Sequence, residues 1–176
     1  GYQWLSLTDG GATFHNGVDL NSLGGGDADL GAPVVAAVGA VVTAVVPWDG
    51  WTQGYGNFVV LETADARATP HVWLKHCHLD TITCSPGQML MAGAQIGTCG
   101  RSGSQPFAHL HWEVMWAKPP SWGTWPYGWS REQVERYWMR PADWFWATIA
   151  AAAAQQGAQG GGTDVSILTG AQQVAV

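Results

Sequence analysis

The heptapeptide Ala108-His109-Leu110-His111-Trp112-Glu113-Val114 alternates polar and apolar residues without a break, and that pattern fits a half-buried β-strand and little else. Successive side chains of a strand point to opposite faces, so His109, His111 and Glu113 line one face while Leu110, Trp112 and Val114 line the other. One face reads as chemistry and the other as core. Two imidazoles two residues apart lie about 7 Å apart at their Cα atoms, which lets one bind a metal while its neighbour reaches a reacting group. A lone His-x-His is more simply a surface strand with solvated histidines; the argument against that lies upstream.

The strand needs a sheet to pair with, and the chain supplies one. Ala32 to Val46 is β-branched, punctuated by Gly39, and reads as two buried strands with a bend between them. After a loop from Pro47 to Gly56 comes a strand at Asn57 to Glu62, with Phe58-Val59-Val60-Leu61 at its heart. A second loop, Thr63 to Pro70, leads into the strand Val72 to Leu79. Alternation there puts Lys75, Cys77 and Leu79 on one face and Leu74, His76 and His78 on the other, leaving both His76 and His78 as candidates for function. Turn signals at Ser85-Pro86-Gly87-Gln88, Ala92-Gly93-Ala94-Gln95 and Cys99-Gly100-Arg101-Ser102-Gly103-Ser104 separate short apolar runs. Strands at this spacing, with no helical period between them, predict an all-β dominated domain built on an antiparallel sheet. A Trp- and Pro-rich loop, Lys118 to Trp129, then precedes a helical segment opened by a Ser130 cap with Gln133 closing the box. Pro141 ends or restarts that helix, and Asp143-Trp144-Phe145-Trp146 reads as an apolar clasp, with Trp112, Trp138, Trp144 and Trp146 as core and Trp48, Trp51, Trp122, Trp125 and Trp129 open to either role. Residues 1–146 form the expected domain, and 147–176 an Ala/Gln/Gly-rich tail or linker.

Composition narrows the function. Of 176 residues only 11% are charged, the formal net charge is -6, and seven Lys plus Arg cannot form the basic patch that nucleic acid requires. No run approaches the roughly 20 apolar residues of a membrane span. The N-terminus has neither initiator Met nor a signal peptide and reads as a processed or excised domain. Cys77, Cys84 and Cys99 lack Cys-x-x-Cys spacing, which argues against a zinc ribbon and leaves either a Cys84 to Cys99 bridge or three reduced thiols.

The remaining signal is Phe14-His15-Asn16-Gly17-Val18-Asp19-Leu20. In a straight strand His15 and Asp19 would stand about 13 Å apart, too far to share an ion with bonds of about 2.0 to 2.2 Å. Asn16-Gly17 is a strong turn signal and a poor helix interior, so a turn should bring the two side chains together. Two His and one Asp, neutral or anionic at pH 7, are a donor set that zinc takes in catalytic sites, with a fourth position left to water.

Three segments in this order resemble the M23 or lysostaphin-type zinc metallopeptidases, also called LytM-domain proteins. His15-Asn16-Gly17-Val18-Asp19 matches their His-x-x-x-Asp, His78-Leu79-Asp80 their His-Leu-Ser, and Ala108 to Val114 their Pro-His-Leu-His-Phe-Glu-Val. Gly31-Ala32-Pro33-Val34, Gly54-Tyr55-Gly56-Asn57 and Gly87-Gln88 through Gly100 add support, so the likeness runs from Phe14 to Pro141. His76, Cys77, Asp80 and Ala108 depart from the family's usual residues, and Cys77 would offer a competing soft ligand. The resemblance implies an open groove over the sheet, a Zn2+ held by His15, Asp19 and His111, and His78 with His109 as a catalytic pair. Glu113, on the histidine face, is expected either to orient a ligand from behind or to form a salt bridge at the rim, rather than to bind the metal. It further implies a peptidoglycan endopeptidase acting outside the cytoplasm, whether extracellular, periplasmic or virion-associated. The competing reading is a silent relative that binds and regulates a partner; the filled metal positions disfavour it. Oligomeric state has no sequence signal here.

Overall fold

The computed structural model describes residues 2–50, 54–64 and 71–158. In chain order the strands are β1 (Leu7–Thr8), β2 (Thr13–Phe14), β3 (Val18–Leu20), β4 (Pro33–Val35), β5 (Ala40–Val46), β6 (Asn57–Thr63), β7 (Trp73–Ile82), β8 (Met89–Leu90), β9 (Gln95–Cys99), β10 (Leu110–Met115) and β11 (Trp138–Met139). A 3-10 turn at Asp9–Gly11 links β1 to β2, and two helices follow β10: α1 (Arg131–Glu135), before β11, and α2 (Pro141–Ala158), after it. The protein is thus mostly antiparallel sheet, with β11-β10-β7-β6-β5-β8 as its spine.

The histidine strand β10 lies inside that spine. One edge pairs with β7; the other is shared between β3, opposite Leu110 to Trp112, and β11, opposite Val114 and Met115. The sheet is buried on both faces, which is why β6 reads as the unbroken apolar run Phe58 to Leu61 rather than as an alternation. On one face Val59, Leu61, Leu74, Trp112 and Val114 pack under α2, whose Trp144 meets Trp112 edge-on at a ring separation of 5.9 Å. On the other face Tyr55, Phe58, Val60, Cys77, Met115 and Trp138 form a second apolar cluster. Burying an aromatic side chain such as Trp138 or Trp144, each 1% exposed, contributes on the order of 3 kcal/mol.

Gly39 marks the bend between β4 and β5, as expected. Ser130 and Gln133 form both halves of the capping box on α1, and Pro141 opens α2 at the first-turn position where its missing N–H costs nothing. Trp144 alone closes the apolar clasp: Trp146 is 62% exposed, because consecutive helical residues stand 100° apart and cannot all face one sheet. The helix continues through the alanines to Ala158, into the stretch 147–176 that was expected to be a tail or linker. Trp51 and residues 159–176, the rest of that stretch, lie outside the described residues. Cys77, Cys84 and Cys99 are unpaired and buried.

The largest departure from simple alternation is in β7. Pairing with β6 slips between Asn57, opposite Leu79, and Val59, opposite His76, so β7 carries one extra residue there. His78 absorbs it in left-handed backbone, at φ 63°. The bulge sends Leu79 into the α2-side core and His78 to the face of Lys75 and Cys77, whereas His76 stays against Trp112 at a ring separation of 6.4 Å. Regular alternation places His76 and His78 together; the bulge separates them.

Candidate metal centre and groove

Register builds the site. Across β3 and β10 Asp19 is the direct partner of His111, and across β7 and β10 Lys75 is the direct partner of Glu113. Directly opposed residues hold their Cβ atoms about 5 Å apart, so both pairs meet without any loop to position them. His15 reaches the same place from the bend before β3. The bend passes so close to β10 that a Cβ at Gly17 would lie 2.5 Å from the Trp112 carbonyl oxygen and 2.9 Å from His111 Cε1. Glycine is needed here for close approach.

Asp19 Oδ1 lies 3.1 Å from His15 Nε2 and 3.0 Å from His111 Nδ1, with His109 Nε2 at 3.8 Å. Its other oxygen accepts the Tyr2 backbone N–H at 2.9 Å. Burial raises the Asp19 carboxyl pKa, but hydrogen bonds from His111 and His15 and their charge outweigh it and hold the group well below the usual carboxylate range. The His15 and His111 rings meet edge-on at 4.6 Å, and Tyr2 lies 5.7 Å from His15.

His78 and His109 stand beside this trio, their ring centroids 4.6 Å apart. His78 Nδ1 is 3.0 Å from the Ser102 carbonyl and His109 Nδ1 is 3.0 Å from the Phe107 carbonyl. A carbonyl only accepts, so both Nδ1 atoms carry protons and each neutral ring keeps a lone pair on Nε2. Burial, then the nearby His111 and His109, push the His78 pKa down, so the ring is neutral at pH 7. Ser102 is locked in turn: its hydroxyl accepts from Asn57 N and donates to Leu79 O, and a Cβ at Gly56 would run into its backbone. His76, buried against Trp112, lies outside this grouping.

Behind His111, Nε2 is 3.1 Å from Glu113 Oε1, which also accepts from Lys75 Nζ at 3.2 Å, while Glu113 Oε2 accepts from Trp138 Nε1 at 2.7 Å. Burial raises the Glu113 pKa, yet Lys75 and then His111 bring it down to about 2. Sequence reasoning placed Trp138 in the core, where it lies, and Lys75 on a strand face, but gave neither of them, nor Tyr55, a part in the site. The available signal was Lys75 itself, a cation inside the apolar strand of a chain poor in charge.

Among the described residues two donor sets gather their ligand atoms within 4.8 Å of one another: His15, Asp19 and His111, and Cys77, His111 and Glu113. The second already contains the Lys75 ammonium, and burial raises the Cys77 thiol pKa well above its ordinary value, so it offers no thiolate. The first pairs with no Lys or Arg among the described residues. Its 3.0 and 3.1 Å separations approach the roughly 3.3 Å edge of a tetrahedron with zinc bonds of about 2.0 Å. These donors fit a zinc ion.

The trio opens into a groove of about 580 Å³ edged by Thr8, Asp9, Gln105, Trp125 and Tyr127, with His78 and His109 on its wall. Among the described residues Asp9 and Asp19 are its carboxylates, and neither Lys nor Arg lines it.

The model of peptidase family M23 matches residues 13–121. Among solved structures, the catalytic domain of the antimicrobial peptidase lysostaphin from Staphylococcus simulans is 26% identical, with 65% of this chain and 77% of that one covered at a TM-score of 0.51. Full-length lysostaphin from the same organism, 20% identical, aligns over 84% of this chain at a TM-score of 0.56 and shares its fold; the match spans 49% of that protein. No curated protein sequence matches the chain. With three-fifths of its length under the family model and a peptidase catalytic domain among its structural likenesses, the chain belongs to peptidase family M23.

Proposed function

We propose that this domain is a zinc-dependent endopeptidase that hydrolyses peptide cross-links or stem peptides of bacterial peptidoglycan. The observation that carries the reading is the convergence of His15 Nε2, Asp19 Oδ1 and His111 Nδ1 at the base of a groove, with two more imidazoles beside them. In this reading His15, Asp19 and His111 hold the metal, His78 and His109 are the catalytic pair, and Glu113 steadies His111. Zinc bound there supplies Lewis acidity toward a peptide carbonyl and lowers the pKa of water to about 7.

The side chains do the rest. His109 Nε2, its lone pair directed into the groove by the Nδ1–H bond to Phe107, takes a proton from the attacking water and returns it to the leaving amine. His78 sits close enough to share that proton and, once charged, donates to the oxygen of the tetrahedral carbon. Its depressed pKa makes it ready to give the proton up again. The half-buried Trp125 and exposed Tyr127 offer faces for a small extended peptide. The description of the 26% identical lysostaphin domain as an antimicrobial peptidase supports a bacterial target. A wall substrate places the enzyme outside the cytoplasm: extracellular, periplasmic or virion-associated. No helix among the described residues is long and apolar enough to cross a membrane.

The test is digestion of purified walls of different cross-link types, with mass spectrometry of the released fragments. New amino termini within the peptides should appear, vanish after chelation and return with zinc. Intact peptides in every wall type, with zinc bound to the protein, would refute the hydrolase reading.

A further inference from the structure

A buried ion pair in a chain this poor in charge calls for a reason. Lys75 and Glu113 are 1% and 0% exposed at the side chain, and their neighbours Phe58, Val60 and Met115 form an apolar cluster. Taking two charges out of water is costly, and a buried pair is seldom more stable than an apolar pair of the same volume. Stability does not explain it; geometry does. Both Glu113 oxygens are committed: Oε1 to Lys75 and His111, Oε2 to Trp138. The Lys75 ammonium lies 2.9 Å from the centre of the Tyr55 ring, a close cation–π contact. The Tyr55 hydroxyl accepts from Asn16 Nδ2 at 2.9 Å and donates to the Thr124 carbonyl at 3.1 Å. Asn16 adjoins His15, so the chain of contacts begun at one proposed ligand returns to the neighbour of another.

We infer that Lys75 is a positioning residue for the proposed zinc site: its ammonium anchors the Glu113 carboxylate, which accepts from His111 Nε2 and so turns Nδ1 toward Asp19. The inference rests on the ligand set proposed above. A proton on Nε2 lets His111 donate to Glu113 Oε1, and Nδ1, bonded to Asp19 Oδ1 in the metal-free site, is then the nitrogen a metal would take by displacing the proton shared there. Without the ammonium, Glu113 loses the partner that holds Oε1 in place, and the His111 ring loses its fixed acceptor.

Lys75→Met preserves the length of the side chain and removes the charge. Zinc affinity is read by competition with a chromophoric chelator, and the His111 Nε2–H bond to Glu113 by the solvent exchange of that imidazole proton in NMR of the zinc-free protein. The wild type should show a His111 Nε2 proton protected from exchange. The variant should bind zinc 10- to 100-fold more weakly, the range typical of lost support behind a ligand, and lose that protection. If Lys75→Met does not fold, Lys75→Met/Glu113→Gln carries the test: it has no unbalanced charge and should still bind zinc at least fivefold more weakly than wild type. A folded variant binding zinc within threefold of wild type, with the His111 Nε2 proton still protected, overturns the inference. A wild type that binds no zinc refutes the ligand assignment instead, and the comparison of proton exchange then judges Lys75 by itself.

Discussion

His76→Leu separates the core histidine from those of the site. His76 is 2% exposed beside Trp112, and its Nδ1 has no partner. Burial lowers its pKa from 6.5 to about 4, against weaker opposing hydrogen bonds to the Val59 and Leu74 backbone. The folded pKa lies below the unfolded one, so between pH 6.5 and 4 the unfolded chain binds the extra proton and stability falls as pH falls. Integrating the two titrations gives a loss of about 2 kcal/mol at pH 5 relative to pH 8, rising to about 3 kcal/mol below pH 4. Leucine removes this linkage while filling a similar volume. Urea denaturation of metal-free wild type and variant at both pH values isolates it, since the other titrating groups cancel in the double difference. The variant should lose about 2 kcal/mol less than wild type between pH 8 and pH 5, or about 4 to 8 °C in Tm for a chain of this size. Losses equal within 0.5 kcal/mol would show that His76 does not titrate as a buried neutral ring.

The proposed ligands and catalytic groups give sharper contrasts. Asp19→Ala should abolish zinc retention along with turnover, and full metal content by elemental analysis would refute its role. His109→Ala should retain zinc while kcat falls roughly 10²- to 10⁴-fold, the usual worth of a general base; wild-type rates would exclude it. Gly17→Ala forces a Cβ against the Trp112 carbonyl and the His111 ring, so it should cost about 1 to 3 kcal/mol in denaturation and weaken zinc binding. An unchanged midpoint would mean that the bend yields freely.

The sheet was legible because its strands announce themselves: β-branched runs, glycine punctuation, and alternation on the strand of His109 and His111. The grouping of His15 with Asp19 followed from a turn signal, although what Gly17 supplies is clearance for His111. What local pattern could not give was the face of His78. A bulge depends on how two distant strands pair, and nothing between Leu74 and Leu79 marks where the extra residue falls. Lys75 was hidden for a related reason: alternation put it on a face, but only the register across β7 and β10 sets it opposite Glu113. Trp146 was misjudged because an aromatic cluster on a helix must divide between core and water.

Among the described residues four with side chains, Leu5, Asp9, His78 and Ser104, hold positive φ, and each lies in or next to the segments that shape the groove. Left-handed backbone costs a residue other than glycine about 1 kcal/mol or more, so the rim is the part of the molecule held in tension. Sheet pairing elsewhere must restrain it, as a frame holds a drawn spring. Optimising that rim for stability alone would favour relaxing these torsions, and would thereby move the His78 ring from its place beside His109.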